Sequence, residues 1–194
     1  MWTAPPTSRA QLRLARQATR KKRAFTLVLK GMIAVSMARW PAGLAGRDLD
    51  PLARMALWQN GMDYGHGTGH GVGSYLCVHE GPQRLARTGT QALLPGMILS
   101  NEPGFYQEGA FGIRIENLIA VQAAQTPVGG NIPSLLEFET LTYVPIDKSL
   151  IEVQLLTGPE RDWLNAYHAN CAARLRDAVT PMAKSWLERA TARL

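Results

Sequence analysis

The chain has 194 residues, enough to fold as one domain around a sizeable hydrophobic core. Its composition of 46% hydrophobic and 19% charged residues is ordinary for a globular protein and excludes a low-complexity chain. The apolar stretch 25–40 is broken by Lys30 and Arg39, which argues against a membrane span and a membrane partner. Cys77 and Cys171 form no CxxC pair, and we interpret them as buried thiols in a reducing compartment.

Positive charge is concentrated near the amino terminus. The formal net charge is +6, and residues 1–47 carry ten Lys or Arg side chains before the first acid, Asp48. The rest of the chain carries eleven basic and fifteen acidic side chains, so a basic head precedes a mildly acidic body. Such a head could bind nucleic acid or serve as an Arg-rich presequence. It lacks interleaved aromatic residues, and we therefore expect no nucleic-acid partner.

The first predicted elements are helical. Residues 1–22 show little apolar periodicity, and we expect them to be disordered. Apolar residues at helical spacing then predict a helix from residue 24 to Trp40, where Pro41 stops the pattern. A second, short helix is predicted over residues 52–58.

Strands and then further helices follow. Strand-like runs separated by Gly/Pro turns occupy residues 97–100, 112–121 and 140–145. Thr157 and Glu160 form a capping-box pattern ahead of a helix, Pro181 interrupts this helix, and a last helix follows. This order of helices, strands and helices predicts an α+β fold.

The segment DYGHGTGHGVGSYLCVHEGP, residues 63–82, contains three of the four histidines and six glycines. His66 and His70 are four residues apart, but a helix is disfavoured because each glycine costs about 1 kcal/mol relative to alanine. A glycine-rich strand or loop would let the backbone approach a substrate or a metal closely. A tight turn with surface histidines explains one histidine, whereas three of them amid alternating glycines favour a functional site.

Two glutamates downstream are candidate partners of these histidines. Glu102 lies in LSNEPGFY, and Glu116 lies in GIRIENLIAV, where alternation places Ile113 and Ile115 on one face and Arg114 and Glu116 on the other. An arginine–glutamate pair on a solvated sheet face explains this pattern as well as metal binding does. One imidazole with two carboxylates suits Mn, Co, Zn or Fe in a hydrolytic site, and bridging carboxylates allow two metals to share a hydroxide.

The motifs HGTGHGVGSYLCVHEGP, NEPGFY and GIRIEN, in this order, resemble those of Xaa-Pro aminopeptidases. These are pita-bread metallopeptidases, as are prolidases, methionine aminopeptidases and creatinases. The resemblance extends over residues 23–194 and implies an incomplete pita-bread fold, a curved antiparallel sheet with flanking helices. It implies a cytoplasmic hydrolase that uses two divalent metals, with Mn²⁺ expected and Co²⁺ or Zn²⁺ as alternatives. Its substrate would be a peptide with proline second, and a prolidase-like peptidase is the alternative.

The resemblance also assigns roles to residues by their motif positions. It implies three metal ligands: His70, Glu102 and Glu116. His66 would position the substrate, and His79 would stabilise the tetrahedral intermediate or relay a proton. Glu102 would double as general base on the bridging water, and Arg114 would orient a ligand carboxylate.

The family's two aspartate ligands, which lie upstream of the first shared helix, have no counterpart, since no acid precedes Asp48. Read in a neighbouring frame, codons for MWTAPPTSRAQLRLARQ permit YVDGTTDITRTVAIGTP, a sequence typical of the aspartate strand. We hypothesise that residues 1–22 are translated out of frame and that RKKRAFT marks the return to frame.

Without the two aspartate ligands we expect impaired catalysis, with a non-catalytic remnant that only associates with partners as the alternative. An exposed sheet edge would favour a homo-oligomer.

Overall fold

A computed structural model describes residues 7–75 and 77–194, with side chains from residue 19 onward. Helices lie towards both ends of this part of the chain, with antiparallel strands between them. In chain order the elements are α1 (Thr7–Ser36), β1 (Arg39–Pro41), α2 (Gly46–Trp58), β2 (Gly69–His70), β3 (Arg84–Leu85), β4 (Ile98–Asn101), β5 (Gly104–Gln107), β6 (Phe111–Arg114), β7 (Asn117–Ala124), β8 (Leu135–Thr140), α3 (Gly158–Leu175) and α4 (Pro181–Thr191). Two 3₁₀ turns, Lys148–Leu150 and Val153–Leu155, precede α3. None of the described helices is long and apolar enough to cross a membrane.

The larger sheet brings one end of β4 next to one end of β7. Its strand order is β1–β8–β7–β4, and the neighbouring strands are antiparallel. Asn101 lies opposite Asn117, so Glu102 and Glu116, which adjoin this pair, leave the sheet at the same end. A backbone bridge from Gly71 joins the histidine segment to β4. Strand pairing therefore gathers the histidine segment and the two glutamates.

β6 and β7 are separate strands, although the sequence predicts one strand over residues 112–121. β6 pairs with β5, whereas β7 pairs with β4 and β8, so the chain changes partners at residues 115–116. Ile115 is buried and its amide donates to Pro103 O at 3.3 Å, while Glu116 is exposed. The predicted alternation of burial persists, but the change of partner releases Glu116 from the strand ladder.

α1 forms one wall of the larger core. Several of its apolar residues are completely buried, among them Val28, Leu29, Met32 and Ile33. Burial of side chains of this kind stabilises the fold by about 1.5–3 kcal/mol each. A Cβ at Gly31 would lie 2.1 Å from Ala53 O, so the glycine permits the close crossing of α1 and α2.

The described part of the basic head is helical. α1 includes residues 7–22, which differs from the disorder expected there, and residues 1–6 lie outside the described residues. This stretch is rich in Arg, Ala, Leu and Gln, all good helix formers, and helix propensity does not need an apolar stripe. Arg20 Nη2 also donates to Gln107 Oε1 on β5 at 2.7 Å. The out-of-frame origin and the domain boundary at residue 23 stay predictions.

At its other end α1 stops at Ser36, short of the predicted end at Trp40. Trp40 instead belongs to β1, where it lies opposite Leu136 of β8. Its ring packs on that of Phe138, with centroids 4.5 Å apart. Tertiary packing of the tryptophan against the sheet therefore overrides the helical spacing of the sequence.

α2 begins at Gly46, earlier than the predicted start at residue 52, and contains Pro51. Ala45 N donates to Asp48 Oδ2 at 2.8 Å, so an acidic side chain caps the first turn and meets the positive end of the helix dipole. A proline usually interrupts a helix because it has no N–H, which is why the sequence pattern favours a start after it.

α3 confirms the predicted capping box. Thr157 N donates to Glu160 Oε2 at 2.7 Å, and Glu160 N donates back to Thr157 Oγ1 at 3.4 Å. Glu160 also pairs with Lys30 of α1 at 2.6 Å, which ties the two helices together. The last helix, α4, begins at Pro181, as expected for a residue that interrupts one helix and can open the next.

The predicted strand over residues 140–145 is wrong, because β8 ends at Thr140. β7 supplies its partners only as far as the pair of Ile119 with Thr140. Beyond that point the chain turns to α3, where Tyr167 Oη donates to Val144 O at 2.9 Å. After Thr140 the chain thus bonds to a helix instead of extending the sheet, and Tyr143 and Ile146 pack in the larger core.

Candidate metal centre

The histidine segment is a glycine-rich strand and loop, as the sequence predicts, because its backbone packs directly on neighbouring backbone. A Cβ at Gly69 would lie 1.8 Å from Ser100 O, and one at Gly71 would lie 2.0 Å from Glu80 O. A larger residue at Gly69 would push β2 away from β4, and one at Gly71 would displace the backbone at Glu80. The glycines therefore hold His70 close to the end of β4.

His70, Glu102 and Glu116 converge. Each offers one ligand atom, and these three atoms all lie within 4.8 Å of one another. His70 Nε2 is 3.2 Å from Glu102 Oε1, and the Nδ1 atom of the same ring is 3.0 Å from Gly71 O. Since a carbonyl only accepts, Nδ1 donates to Gly71 O, and Nε2 is the ring nitrogen that faces the carboxylates. Ser100 Oγ orients this pair, accepting from His70 N at 2.9 Å and donating to Glu102 Oε1 at 3.0 Å.

The donor set fits a divalent cation. One neutral imidazole and two carboxylates are borderline-to-hard ligands, and their mutual distances let them share one ion. Arg114 Nε lies 3.6 Å from Glu102 Oε2 and 3.7 Å from Glu116 Oε2, so its charge offsets the repulsion between the carboxylates. Within residues 19–75 and 77–194, no other group of three or more His, Cys, Asp or Glu comes together in this way.

His79 lies beside the three candidate ligands. Its ring centroid is 4.1 Å from that of His70, and the two planes are tilted by 45°. A cavity of about 360 Å³ opens next to both rings and is lined in addition by Gln83 and Arg84. His79 is exposed, so its ring nitrogens are accessible to a molecule in this cavity.

His66 is directed to a different neighbour. Its Nδ1 lies 2.7 Å from Gly67 O, and its Nε2 lies 2.8 Å from the hydroxyl of Tyr106. The carbonyl again fixes the proton on Nδ1, so Tyr106 donates to Nε2. Tyr106 was not singled out from the sequence, although it closes the NEPGFY motif that carries Glu102.

Charged residues of α2 that the sequence analysis did not assign to the site hold the histidine segment. Burial opposes the charge of Arg54, but hydrogen bonds to Asp50 and Asp63 raise its pKa. Burial also opposes ionisation of Asp63, yet hydrogen bonds from Trp58 and Arg54 lower its pKa to about 2. Burial raises the pKa of Tyr64 to about 12. Arg54, Asp63 and Tyr64 therefore each keep one ionisation state near neutral pH. The signal in the sequence is the four-residue spacing of DPLAR, which places the acid and the arginine on one helix face.

The two cysteines differ in their surroundings. Cys171 is buried in α3, as predicted, whereas Cys77 is exposed, which corrects the expectation of a second buried thiol. The reason is position: Cys77 lies in the loop before His79, away from both cores.

Residues 11–123 match metallopeptidase family M24, and residues 134–194 match the C-terminal region of peptidase M24. The chain therefore belongs to metallopeptidase family M24. Together with the arrangement of helices and antiparallel strands, this confirms the predicted α+β, pita-bread fold and the resemblance on which it was based.

Among the relatives, the chain is most usefully compared with aminopeptidases P. It is 48% identical to the probable Xaa-Pro aminopeptidase P of Sclerotinia sclerotiorum, covering 87% of this chain and 29% of that protein. It is 44% identical to aminopeptidase P1 of Arabidopsis thaliana, covering 88% and 27%. The chain thus spans less than a third of the length of these relatives.

Solved structures give the same picture. The X-prolyl aminopeptidase of Caenorhabditis elegans, described as a cytosolic enzyme with a di-nuclear active site, matches with a TM-score of 0.83 and 38% identity. That match covers 100% of this chain and 30% of the other. The Xaa-Pro dipeptidase of Bacillus anthracis matches with a TM-score of 0.52 and 32% identity, covering 66% of this chain and 32% of the other.

Proposed function

We propose that the chain is the ligand-bearing part of a cytoplasmic, divalent-metal-dependent aminopeptidase that removes the N-terminal residue preceding proline. The observation that supports this most is the convergence of His70, Glu102 and Glu116, whose ligand atoms lie within 4.8 Å of one another. The Xaa-Pro aminopeptidase relatives support the choice of substrate, a peptide with proline as its second residue. Among divalent metals we propose Mn²⁺, because the donor set is rich in carboxylate oxygen.

The surrounding residues suit the steps of peptide hydrolysis. A bound divalent metal would act as a Lewis acid that polarises the scissile carbonyl and acidifies the attacking water. Glu102 would accept the proton of that water, since one carboxylate oxygen is held by Ser100 while the group still faces the cluster. His79 would donate to the oxyanion of the tetrahedral intermediate from beside His70. His66, oriented by Gly67 O and Tyr106, would position the peptide. Arg114 would orient Glu102 and Glu116.

Two alternative functions are each supported by a specific observation. A prolidase-like activity is favoured by the similarity to the dipeptidase of Bacillus anthracis. A non-catalytic role is favoured by the number of metal ligands. The described side chains bring together one imidazole and two carboxylates, whereas a centre with two metal ions needs further bridging carboxylates to hold the second ion. Association with a second copy would suit such a remnant, and exposed Met182 and Trp186 on α4 provide apolar surface for it. Light scattering of the purified chain over a concentration series tests this association.

The metal site is tested by loading the purified chain with Mn²⁺, removing the excess, and measuring bound manganese by elemental analysis. We expect one ion per chain for the wild type and none for His70→Ala. Glu108→Gln, which alters an exposed carboxylate in the turn between β5 and β6, should keep the ion. Wild-type protein that retains no manganese would refute the proposal.

The same preparations separate an enzyme from a remnant. With an Xaa-Pro-containing tripeptide as substrate, release of the first residue at a rate that falls on His70→Ala indicates an aminopeptidase. Cleavage of dipeptides alone indicates the prolidase-like activity. One bound ion without any turnover at high protein concentration indicates the non-catalytic alternative.

A further inference from the structure

A buried ion pair on α2 faces the histidine segment. Asp50 is 0% and Arg54 2% exposed, and Arg54 Nε donates to Asp50 Oδ2 at 2.7 Å one helical turn away. Removing two charges from water is costly, so a buried pair is weak grounds for stability by itself. The hydrogen bonds that Asp50 and Arg54 form with other residues indicate a second role for the pair.

Arg54 uses all five of its N–H donors, and two of them go to backbone of the histidine segment. Nη1 donates to Tyr64 O at 2.8 Å and to Asp63 Oδ1 at 2.8 Å. Nη2 donates to His66 O at 2.7 Å and to Asp50 Oδ1 at 3.2 Å. The guanidinium also lies over the Tyr64 ring, 3.9 Å from its centroid. A planar fork of this kind cannot be reproduced by lysine, which has three donors on a single atom.

Asp50 continues the connection through Thr68. Thr68 Oγ1 donates to Asp50 Oδ1 at 2.6 Å and lies 2.5 Å from the Tyr64 hydroxyl. The backbone carbonyl of Thr68, a completely buried residue, accepts from Glu102 N at 2.7 Å. Thr68 is two residues before His70, so one hydrogen-bonded path runs from α2 to both segments that carry candidate ligands.

We infer that Asp50, Arg54 and Thr68 are positioning residues that set the separation of His70 and Glu102. This inference rests on the proposed function, since it concerns the same metal site. None of the three residues is among the converging ligands; each acts through the backbone or the hydroxyl of the next. Residues that orient metal ligands in this way change metal affinity by about 10–100-fold when they are replaced.

The test compares Thr68→Val with Thr68→Ser. Valine keeps the shape and removes the hydroxyl, whereas serine keeps the hydroxyl. For the metal-free chain, amide hydrogen exchange followed by NMR should show faster exchange at Glu102 N in Thr68→Val by about tenfold, with unchanged exchange in α3. Mn²⁺ affinity measured by titration calorimetry should fall by about tenfold in Thr68→Val and by less than about twofold in Thr68→Ser.

Lys30→Met provides the matched control. It breaks the pairing of Lys30 with Glu160 between α1 and α3, far along the chain from the ligands. It should accelerate exchange in α3 and leave both Glu102 exchange and Mn²⁺ affinity unchanged. Should Thr68→Val not fold, Arg54→Lys serves instead, with the same direction expected at Glu102.

The outcomes separate this inference from the proposed function. Wild-type protein that binds no Mn²⁺ refutes the metal site, and exchange at Glu102 then still decides the positioning role. Wild-type exchange at Glu102 in folded Thr68→Val, with wild-type affinity where the metal binds, overturns the inference. Uniformly faster exchange throughout Thr68→Val, including α3, likewise overturns it in favour of a general loss of stability.

Discussion

Two regions of the molecule use a histidine in opposite ways. In the ligand region, formed by β2, β4 and the start of β7, His70 is partly exposed and turns Nε2 towards two carboxylates. In the carboxy-terminal region, formed by residues 144–156 and α3, His168 is completely buried and its Nε2 accepts from Ile146 N at 3.1 Å. Its Nδ1 has no hydrogen-bond partner among the described residues. The first imidazole is presented for binding, and the second is kept neutral in the interior.

The difference shows that polarity alone does not define a site. Burial, together with the charge of Lys148, lowers the pKa of His168 to about 4, so this histidine favours the fold only while it is neutral. In the ligand region, His70 lies beside two carboxylates whose negative charge a bound cation would neutralise. We therefore expect the two regions to respond to different agents, the ligand region to metal and the carboxy-terminal region to acid.

The largest effect on stability is expected from Gly69→Ala, which disturbs the backbone of the ligand region. The new Cβ would lie 1.8 Å from Ser100 O, and backbone cannot move aside as a side chain can. We expect the free energy of unfolding, measured by urea titration, to fall by about 3 kcal/mol. Gly65→Ala, where nothing lies within 4 Å of the added Cβ, is the control and should change it by less than about 1 kcal/mol. Equal losses in both variants would contradict the close β2–β4 contact.

The next effect is acid sensitivity of the carboxy-terminal region. The pKa of His168 is lowered to about 4 in the folded chain, so between about pH 6.5 and 4 the unfolded chain binds the extra proton and stability falls as the pH falls. Above this window the contribution is fully present. From pH 8 to pH 5 the loss should be about 2 kcal/mol greater in wild type than in His168→Gln, which cannot titrate. Urea titrations at both pH values measure it, and identical pH dependence would contradict the buried neutral state.

Glu116→Gln tests the response of the ligand region to metal. The amide keeps the size of the side chain but removes one of the two negative charges near His70. We expect Mn²⁺ affinity, measured by titration calorimetry, to fall by about tenfold or more, equivalent to about 1.4 kcal/mol. Glu139→Gln on β8, also an exposed carboxylate, should leave the affinity unchanged. A similar loss in both variants would indicate general electrostatic attraction instead of ligation.

The smallest effect concerns the start of α3 and should not reach the ligand region. Thr157→Ala removes the side chain that accepts from Glu160 N, and the free energy of unfolding should fall by about 1 kcal/mol. Thr180→Ala is a matched control, because Thr180 precedes α4 without a capping side-chain hydrogen bond. Urea titration of the two variants should show the larger loss for Thr157→Ala, and Mn²⁺ affinity should be unchanged in both.

Features carried by short motifs could be predicted from the sequence. The capping box of Thr157 and Glu160 needs only two residues at a fixed spacing, and the structure forms it. The candidate ligands came from three motifs in order, and the structure brings the ligand atoms of His70, Glu102 and Glu116 within 4.8 Å of one another. The roles of these residues in catalysis stay predictions.

Features set by long-range contacts could not be predicted. The end of α1 depends on Trp40 packing against Phe138, far along the chain. The break at residues 115–116 depends on which strands pair with β6 and β7. In the sequence, Asp50 and Arg54 look like an ordinary helical charge pair, since their burial and the backbone groups that they bind exist only in the folded chain.

The pairing of Asn101 with Asn117 has a consequence for protein engineering. Side chains alternate between the two faces of a strand, so a shift by a single position would send one glutamate to the opposite face. The alignment is maintained by apolar residues such as Leu99 and Ile119, which lie opposite each other and are completely buried in the smaller core. A designer who wishes to transfer this centre to another scaffold must therefore transfer the paired strands together with their buried apolar side chains. Copying the three ligand residues alone would not bring their side chains together.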